Sequence, residues 1–347
     1  MTVHVLPPVP HTDLTMEWAP CAFTAKVLHL TQMLARTHDV VVYASEGSEP
    51  AGELVPVITD TDRKRWFNED TYRDRVFDRW DPTDPCWTEL NAQTIAAMRD
   101  RVQPGDLIAL AMGTMHQPVA DAFPHVLAFE SGVGYEGSFA PYRVFESHAW
   151  QHHTYGRQNI NDGRYYDTVI PNAYQPADFT FRPDHDGYLL FLGRHIDRKG
   201  TAVIAELAKH HDVVTAGQGG PLDGCLYAGV VRGQEKAALL AGARALIAPT
   251  TYIEPFGGVA VEAQLSGTPV IASPWGAFPE TVEEGVTGFL PHTLGGILDA
   301  VEACDTLNPA VIRARAVARY SLDAVAPQYA AYLELLGTLR GDGWYTT

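Results

Sequence analysis

Along the first half of the chain, short apolar runs alternate with longer segments whose apolar side chains recur at helical spacing. The runs Val40–Ala44 and Leu107–Ala111 show almost no polar alternation, which predicts strands buried on both faces. The segments Ala22–Arg36 and Ala92–Val102 carry the helical pattern. Further strands are predicted at Thr2–Leu6, Leu54–Ile58, Val126–Phe129 and Thr168–Pro171, and a further helix at Pro141–Tyr155. Repeated strand–helix alternation of this kind predicts a parallel sheet covered by helices.

The same alternation restarts after Ala173–Gly187, a polar segment that contains prolines and has no strong periodicity. That segment predicts a boundary between two domains, residues 1–172 and 173–320. Strands are predicted at Tyr188–Leu192, Val213–Ala216, Ala245–Pro249 and Pro269–Ala272, and helices at Thr201–Lys209, Gln234–Ala241, Gly258–Leu265 and Leu294–Cys304. The predicted fold class is α/β, with two doubly wound, Rossmann-like domains facing a cleft and ligands at the carboxyl ends of the strands.

Composition narrows the class of function. The 347 residues include 25 Lys and Arg against 42 Asp and Glu, a formal net charge of -17. Phosphate backbones and anionic membranes need basic surface, so this balance disfavours a dedicated nucleic-acid or membrane binder. The four cysteines (Cys21, Cys86, Cys225 and Cys304) form no C-x-x-C pair, which argues against a disulfide framework or a zinc ribbon. No signal-peptide pattern and no long apolar run is visible, and a cytoplasmic location is expected.

Two kinds of short motif are formally typical of nucleotide or metal sites. Gly132-Val-Gly-Tyr-Glu-Gly137 matches G-x-G-x-x-G after a strand, but the dinucleotide reading also needs a helix at the motif and an acid about 20 residues on. A glycine-rich turn is the simpler interpretation. Asp60-Thr-Asp62 and Asp184-His-Asp186 are formally D-x-D pairs, and both lie in charged stretches, so we interpret them as solvated acids.

A histidine cluster forms a third candidate site. His148 and His152 are four residues apart, with His153 beside them, and on a helix the first two share a face. This is the spacing of metal ligands, but no H-E-x-x-H pattern accompanies it. A polar helix edge is the simpler interpretation.

The segment that follows the strand Ala245–Pro249 holds the most informative chemistry. Gly257-Gly258 permits close backbone approach at the start of a helix, whose N–H groups and dipole suit an anion. Glu254 precedes this position and Glu262 follows it. Carboxylates repel phosphate, so these two are expected to accept hydrogen bonds from hydroxyls. A ligand with a central diphosphate and a hydroxyl-rich ring at each end fits, and a nucleotide-sugar is such a ligand.

A second segment supplies positive charge. Arg194 and Lys199 follow the strand Tyr188–Leu192 and precede a helix. Two cations at this place can neutralise a departing diphosphate without a metal. Alone they are compatible with a surface loop, but together with the glutamate segment they predict a diphosphate site.

These motifs together resemble the retaining GT-B glycosyltransferases, specifically glycosyltransferase family 4. The resemblance covers about residues 167–291. It rests on the Glu254 to Glu262 element with its Phe-Gly-Gly, and on Gly193-Arg194 and Lys199-Gly200. Ile170-Pro-Asn172, Ala216-Gly-Gln-Gly219 and Gly276–Leu290 also match.

The resemblance implies a role for each matching residue. Arg194 and Lys199 would hold the donor diphosphate, with Gly193 beside them, and Glu254 would bind hydroxyls of the donor sugar. Backbone groups of Phe256, Gly257 and Gly258 would lie beside sugar and phosphate, and Glu262 would bind the ribose. The resemblance also implies that the helix beginning at Ser321 crosses back onto the N-terminal domain, so that residues 321–347 complete it.

The N-terminal half departs from the family pattern. The loop after the first strand, Pro7 to Trp18, has no glycine, and Glu130 stands where the family often places a histidine near the sugar. Because Glu130 follows a buried strand, we expect it to contact donor or acceptor hydroxyls, as a catalytic residue with Arg194, Lys199 and Glu254. The alternative is a local cap that accepts hydrogen bonds from the backbone of Ser131–Gly134.

The sequence therefore predicts a retaining hexosyl- or pentosyltransferase. Its partner is a nucleotide-sugar donor, carrying UDP or GDP, and no cofactor or metal is expected. The acceptor is open: a lipid, a glycan, a protein, a small molecule or a modified nucleobase. Three alternatives also stay open, namely a nucleotide-sugar epimerase of the same architecture, a non-catalytic nucleotide-sugar binding protein, and an NAD enzyme that uses Gly132–Gly137.

Overall fold

A computed structural model describes residues 1–18, 21–67 and 81–338 of the chain. The chain divides into two compact units. The first comprises Met1–Glu146, Asn161–Ala173 and Val325–Thr347, and the second comprises Ser147–Ile160 and Tyr174–Ala324. Each unit is built on its own parallel sheet.

The described residues of the first unit form a seven-stranded sheet in the order β3-β2-β1-β4-β5-β6-β7. Its strands are Thr2–Val5 (β1), Asp39–Ser45 (β2), Glu53–Ile58 (β3), Leu107–Leu110 (β4), Leu127–Val133 (β5), Tyr142–Phe145 (β6) and Thr168–Val169 (β7). All neighbouring strands pair in parallel, and Val3 pairs with Val40 on one side and Leu107 on the other. Because helices cover both faces of such a sheet, most positions of its strands are apolar rather than alternating, although β1, β5 and β6 carry the buried His4, Glu130 and Arg143.

The helices of the first unit pack with its sheet to form the hydrophobic core. They are Ala22–Leu34 (α1), Asp60–Phe67 (α2), Pro85–Met98 (α3), Gln117–Ala122 (α4) and the part of Leu322–Gly337 (α12) that begins at Val325. Trp87 and Leu90 of α3 are fully buried in the same cluster as Tyr43 of β2. Tyr332 of α12 donates a hydrogen bond to the carbonyl of Tyr166 at 3.0 Å, so α12 packs on this unit.

The second unit repeats the topology. Its described strands are Leu189–Leu192 (β8), Val213–Ala216 (β9), Leu226–Tyr227 (β10), Ala245–Ala248 (β11), Val270–Ala272 (β12) and Gly288–Phe289 (β13), in the order β10-β9-β8-β11-β12-β13. Its helices are His148–Gln158 (α5), Thr201–Leu207 (α6), Gly233–Gly242 (α7), Gly258–Leu265 (α8), Phe278–Thr281 (α9), Leu294–Cys304 (α10) and Pro309–Tyr320 (α11). In each sheet the first three strands extend the sheet to one side of its first strand, and the later strands extend it to the other side.

The largest secondary-structure error of the sequence analysis concerns Pro141–Tyr155, where a single helix was expected. Tyr142–Phe145 is instead the strand β6, which pairs with β5 and β7. The helix α5 starts only at His148, after Ser147, whose hydroxyl accepts a hydrogen bond from the N–H of Trp150 at 3.0 Å. Three of the four residues, Tyr142, Val144 and Phe145, are aromatic or β-branched, which suits a strand, and a serine N-cap marks the helix start that periodicity alone missed.

The charged helix α2 carries the acidic pair Asp60 and Asp62 in its first turn, and one of its charged side chains is buried. Arg63 on α2 is 1% exposed, and it donates hydrogen bonds to the Thr12 carbonyl at 3.0 Å and to Asp13 at 2.6 Å. Residues 68–80 lie outside the described part. Arg63 thereby ties α2 to the loop after β1, because a buried guanidinium needs acceptors for its N–H groups.

The helix α5 is grouped with the second unit, whereas the sequence placed residues 1–172 in one domain. The carboxylate of Glu280 accepts hydrogen bonds from the N–H groups of His148 at 2.9 Å and Ala149 at 2.8 Å. A carboxylate at a helix N-terminus satisfies N–H groups that have no partner within the helix. The predicted domain boundaries stay a prediction, as does the crossover of residues 321–347, of which 339–347 lie outside the described part. Among the described helices, none is both long and apolar enough to span a lipid bilayer.

Two buried histidines in the first unit predict acid sensitivity. His116 is 1% exposed, and burial lowers its pKa to about 3; burial and the charge of Arg63 lower the pKa of His11 to about 4. Below pH 6.5 the unfolded chain protonates both imidazoles while the folded chain does not, so the unfolded state binds more protons. The free energy of unfolding is therefore expected to rise with pH from about 4 to 6.5, by up to about 1.4 kcal/mol per pH unit for each histidine.

Denaturant unfolding across this pH range checks the expectation. His116→Gln should flatten the slope, and the same change at the exposed His210 should leave it as in the unaltered chain. A His116→Gln slope equal to that of the unaltered chain would contradict the assignment.

Candidate functional site

The candidate site lies in the second unit, at the carboxyl ends of β8 and β11. These strands are neighbours in the sheet, although the chain builds β9 and β10 between them, so the strand order reverses at this pair. Loops that leave adjacent strands on opposite sides open a crevice where ligands bind in doubly wound sheets. The N–H of Thr251 donates to the carbonyl of Arg198 at 2.9 Å and joins the two loops.

Close packing of the two loops depends on Gly200. Its φ is +83°, and a Cβ atom built there would lie 2.1 Å from the carbonyl oxygen of Pro249. Only glycine fits both the left-handed conformation and the contact. This approach brings Lys199, the residue before it, to the loop that carries Glu254.

Lys199 and Tyr252 both contact one oxygen of Glu254. The Lys199 Nζ lies 2.9 Å from Oε2 of Glu254, and the Tyr252 hydroxyl donates to the same oxygen at 2.5 Å. The side chains of Lys199 and Glu254 are 20% and 13% exposed, so both are accessible to a ligand. Lys199 has three N–H donors and Glu254 a second oxygen, so each keeps capacity for a further partner.

Positive charge gathers around Tyr252. The guanidinium of Arg198 lies 4.9 Å from the centre of its ring, and the Lys199 Nζ lies 5.1 Å from it. Burial and the adjacent Glu254 raise the pKa of the Tyr252 hydroxyl, against the opposing charges of Arg198 and Arg194. Arg194, Arg198 and Lys199 thus all place positive charge near Tyr252, and the diphosphate role of Arg194 and Lys199 stays a prediction.

The helix α8 begins beside this cluster. Gly257 has a φ of +74°, and a Cβ there would lie 2.6 Å from the ring of Phe278, so the position needs glycine. A Cβ on Gly258 would lie 2.5 Å from the Tyr174 hydroxyl, while the Phe256 side chain is buried in the core. The first backbone N–H groups of α8 have no acceptor within the helix, which favours an anion there.

Glu262 lies in the second turn of α8 and forms an ion pair with Lys236 of α7. Its Oε1 accepts a hydrogen bond from the Lys236 Nζ at 2.9 Å. The two side chains are 18% and 20% exposed. The carboxylate is therefore held by one oxygen and accessible.

A glycine-rich loop after β9 closes the same end of the sheet. A Cβ on Gly217 would lie 1.9 Å from the carbonyl oxygen of Gly193, so these backbones touch. The Tyr227 hydroxyl donates to the Gly217 carbonyl at 2.8 Å, and the His195 Nδ1 is hydrogen bonded to the carbonyl of Gly220. These contacts order the loop Gly193 to Gly200, which carries the cations.

All eight predicted donor residues belong to the loops and the helix that follow β8 and β11: Gly193, Arg194, Lys199, Glu254, Phe256, Gly257, Gly258 and Glu262. Tyr252, Arg198 and Lys236 were not predicted from the sequence. Arg198 directly precedes Lys199, and Tyr252 lies two residues before Glu254, so position in the chain could have indicated both. Lys236 gave no signal, because it lies 26 positions from Glu262 in the chain and on a different helix.

Glu130 lies in the first unit, within β5, and its side chain is fully buried. Its Oε1 accepts hydrogen bonds from the N–H groups of Phe139 at 2.6 Å and Ala140 at 2.7 Å, and its Oε2 accepts one from the Tyr135 hydroxyl at 2.9 Å. Burial raises the pKa of this carboxyl, while the same donors oppose the shift. These contacts resemble the local cap that the sequence offered as the alternative, but the N–H donors are Phe139 and Ala140 and not Ser131–Gly134. The role beside the sugar stays a prediction.

Glu130 is therefore expected to act on stability. Glu130→Ala should lower the free energy of unfolding by about 3 kcal/mol or more, because each buried N–H left without an acceptor costs about 1–3 kcal/mol. Glu130→Gln keeps an oxygen for both N–H groups and should lose less, with nucleotide affinity unchanged in both variants. A large loss of turnover in Glu130→Gln at an unchanged melting temperature would instead support the role beside the sugar.

The other motifs have structural partners of their own. Asp62 accepts hydrogen bonds from Thr59, and Asp184 and Asp186 pair with Arg182. Residues 132–137 run from β5 towards β6, where the dinucleotide reading requires a helix. The rings of His148 and His152 lie 6.3 Å apart on exposed positions of α5. Within the described ranges, no group of three or more potential metal-ligating side chains occurs.

Comparisons with known sequences point to one family. Residues 187–304 match the family described as Glycosyl transferases group 1. A D-inositol 3-phosphate glycosyltransferase of Mycobacterium leprae is 47% identical over 76 residues, which are 21% of this chain and 18% of that protein. A phosphatidyl-myo-inositol mannosyltransferase of Mycobacterium tuberculosis is 32% identical over 209 residues, 50% of this chain and 54% of that protein. The matches span from under a fifth to about half of the length of these curated relatives.

Solved structures share the fold over nearly the whole chain. AviGT4, a glycosyltransferase involved in avilamycin A biosynthesis, has a TM-score of 0.71 at 18% identity and covers 96% of this chain and 98% of its own. HepE of Anabaena in complex with UDP-glucose has a TM-score of 0.68 at 17% identity, with coverage of 96% and 100%. The predicted α/β class with two Rossmann-like units is confirmed, as is the resemblance on which the sequence analysis relied.

Proposed function

We propose that this chain is a glycosyltransferase that moves a sugar from a nucleotide-sugar to an acceptor, with retention at the anomeric carbon and without a metal. One observation carries the proposal: Lys199, Tyr252 and Glu254 form a connected, accessible cluster where the strand order reverses. The cluster lies inside residues 187–304, which match the glycosyltransferase family. A carboxylate that forms an ion pair with a lysine just before a helix N-terminus suits a ligand that carries both hydroxyls and phosphate.

Each group in the cluster has a proposed task. Arg194 and Lys199 neutralise the diphosphate, together with the backbone N–H groups at Gly257 and Gly258. Glu254 accepts hydrogen bonds from hydroxyls of the donor sugar through the oxygen that Tyr252 and Lys199 leave accessible. Glu262 accepts hydrogen bonds from the ribose.

The chemistry is electrostatic. As the bond between the anomeric carbon and the diphosphate oxygen breaks, negative charge grows on the leaving group, and preorganised cations stabilise that charge more than they stabilise the ground state. The acceptor oxygen forms the new bond at the anomeric carbon on the face from which the diphosphate departs, which retains the configuration. Its proton passes to the departing diphosphate oxygen. The proposed leaving-group contacts do not require a metal ion, since the protein supplies the positive charge.

Incubation with a panel of donors tests the proposal. UDP-glucose comes first because HepE binds it, followed by GDP-mannose and other UDP- and GDP-sugars. The acceptor panel includes inositol 3-phosphate, the compound in the name of one relative, and lipid, glycan and small-molecule hydroxyls. Each reaction is run with and without a chelator.

The readouts separate the alternatives. Nucleotide release that depends on an acceptor, with a product of retained configuration, supports the transferase. A changed sugar without acceptor indicates an epimerase, and binding without any turnover over the full panel indicates a binding protein. Loss of turnover on chelation would contradict the metal-free proposal.

A further inference from the structure

The ion pair between Lys236 and Glu262 joins two helices of the second unit. Lys236 lies on α7 and Glu262 on α8, and the Lys236 Nζ donates to Oε1 of Glu262 at 2.9 Å. Both side chains are about four-fifths covered. By contrast, Lys209 follows the end of α6 and pairs with Glu206 of that helix in an exposed contact, with Lys209 65% exposed.

The surroundings of Lys236 restrict its ammonium group. Its Nζ lies 5.9 Å from the ring centre of Phe179, in the segment that precedes β8. Its charge also opposes the effect of burial, which raises the pKa of Asp178. An ammonium that lies near an aromatic ring and is paired with a carboxylate loses much of its freedom, so the atom to which it donates is also held.

A single contact on one oxygen orients a carboxylate. Glutamate has three rotatable side-chain bonds, and an ion pair at Oε1 selects the conformers in which Oε2 points away from Lys236. Lys236 cannot accept a hydrogen bond, so a hydroxyl that approaches Glu262 must donate to the carboxylate itself. Two adjacent hydroxyls on one ring match such an oriented acceptor.

We propose that Lys236 is a positioning residue for recognition of the ribose of a nucleoside diphosphate. It holds Oε1 of Glu262 so that Oε2 accepts hydrogen bonds from the 2′- and 3′-hydroxyls. The proposal rests on the proposed function, in which Glu262 binds the ribose. It makes the site selective for ribonucleotides over 2′-deoxyribonucleotides through a residue that does not itself contact the sugar.

The test compares affinities for UDP and 2′-deoxy-UDP by calorimetry, and for GDP and 2′-deoxy-GDP in the same way. The unaltered chain should prefer the ribose form by about tenfold or more, as a hydrogen bond to a charged group contributes that much. Lys236→Met keeps the length of the side chain and removes its donors and charge. This variant should weaken the ribose form more than the deoxy form, which has only the 3′-hydroxyl contact to lose, so that the preference falls towards one.

Further variants identify the cause. Lys236→Arg keeps a donor to Glu262 and should restore most of the preference, while Lys209→Met should change nothing. Glu262→Gln should remove the preference by acting on the acceptor directly. Melting temperatures confirm that each variant is folded, and Lys236→Gln replaces Lys236→Met if the latter does not fold.

The outcomes distinguish a failure of this inference from a failure of the proposed function on which it rests. If Glu262→Gln removes the ribose preference and Lys236→Met retains it, the positioning role is wrong and the proposed function stands. If Lys236→Met weakens both nucleotides equally, Lys236 acts on the phosphates, the base or the fold, and the positioning role is again wrong. If the unaltered chain binds neither nucleotide, or shows no preference, the ribose site itself is overturned, and the inference with it.

Discussion

Replacing Lys199 with alanine is expected to lower turnover by more than about tenfold. The variant removes the cation proposed to bind the diphosphate, and a lost hydrogen bond to a charged group costs about 1.5–3 kcal/mol. It also removes the hydrogen bond from Lys199 to Oε2 of Glu254, so that Tyr252 remains as the donor to that oxygen among the described residues. Steady-state kinetics with the donor found in the panel measures the loss.

Binding measurements show whether the loss comes from the phosphates. Lys199→Ala should weaken the nucleoside diphosphate and leave the affinity for the nucleoside unchanged. Lys209→Ala is the matched control. It removes the same chemical group from an exposed ion pair between Lys209, which follows α6, and Glu206 of that helix. Turnover of Lys199→Ala close to that of the unaltered chain would count decisively against the diphosphate role.

Gly200→Ala is expected to lower both stability and nucleotide affinity strongly. The new Cβ would lie 2.1 Å from the carbonyl oxygen of Pro249, and alanine at φ +83° is strained in any case. Left-handed strain costs about 1–2 kcal/mol, and the forced separation of two packed backbones adds about 1–3 kcal/mol. The loops after β8 and β11 would move apart, and Lys199 would move with them.

Gly187→Ala provides the control for strain. Gly187 has a similar φ of +95°, and a Cβ there meets nothing within 4 Å. This variant should lose only about 1–2 kcal/mol and keep its nucleotide affinity. Equal losses of stability in the two variants, or full nucleotide affinity in Gly200→Ala, would show that the contact between the loops is unimportant.

Much of the architecture could be predicted from the sequence because local pattern and tertiary environment agree. Strands covered on both faces are apolar throughout, as in Val40–Ala44, and this pattern is visible in the chain itself. Where the two disagree, the prediction fails. The spacing of apolar residues over Pro141–Tyr155 predicted one helix. Tyr142–Phe145 is a strand instead, because it pairs with β5 and β7 on either side.

The candidate site divides in the same way. By itself the sequence determined the α/β class, the cation pair Arg194 and Lys199, and the two glutamates, because strand ends and a Gly-Gly helix start place those groups by local rules. Only the tertiary structure decided which atoms meet: Tyr252 and Lys199 on one oxygen of Glu254, and Lys236 on Glu262. It also decided that Glu130 lies fully buried with three donors. A side chain's burial and partners depend on segments distant in the chain, and no local pattern encodes which of them pack together.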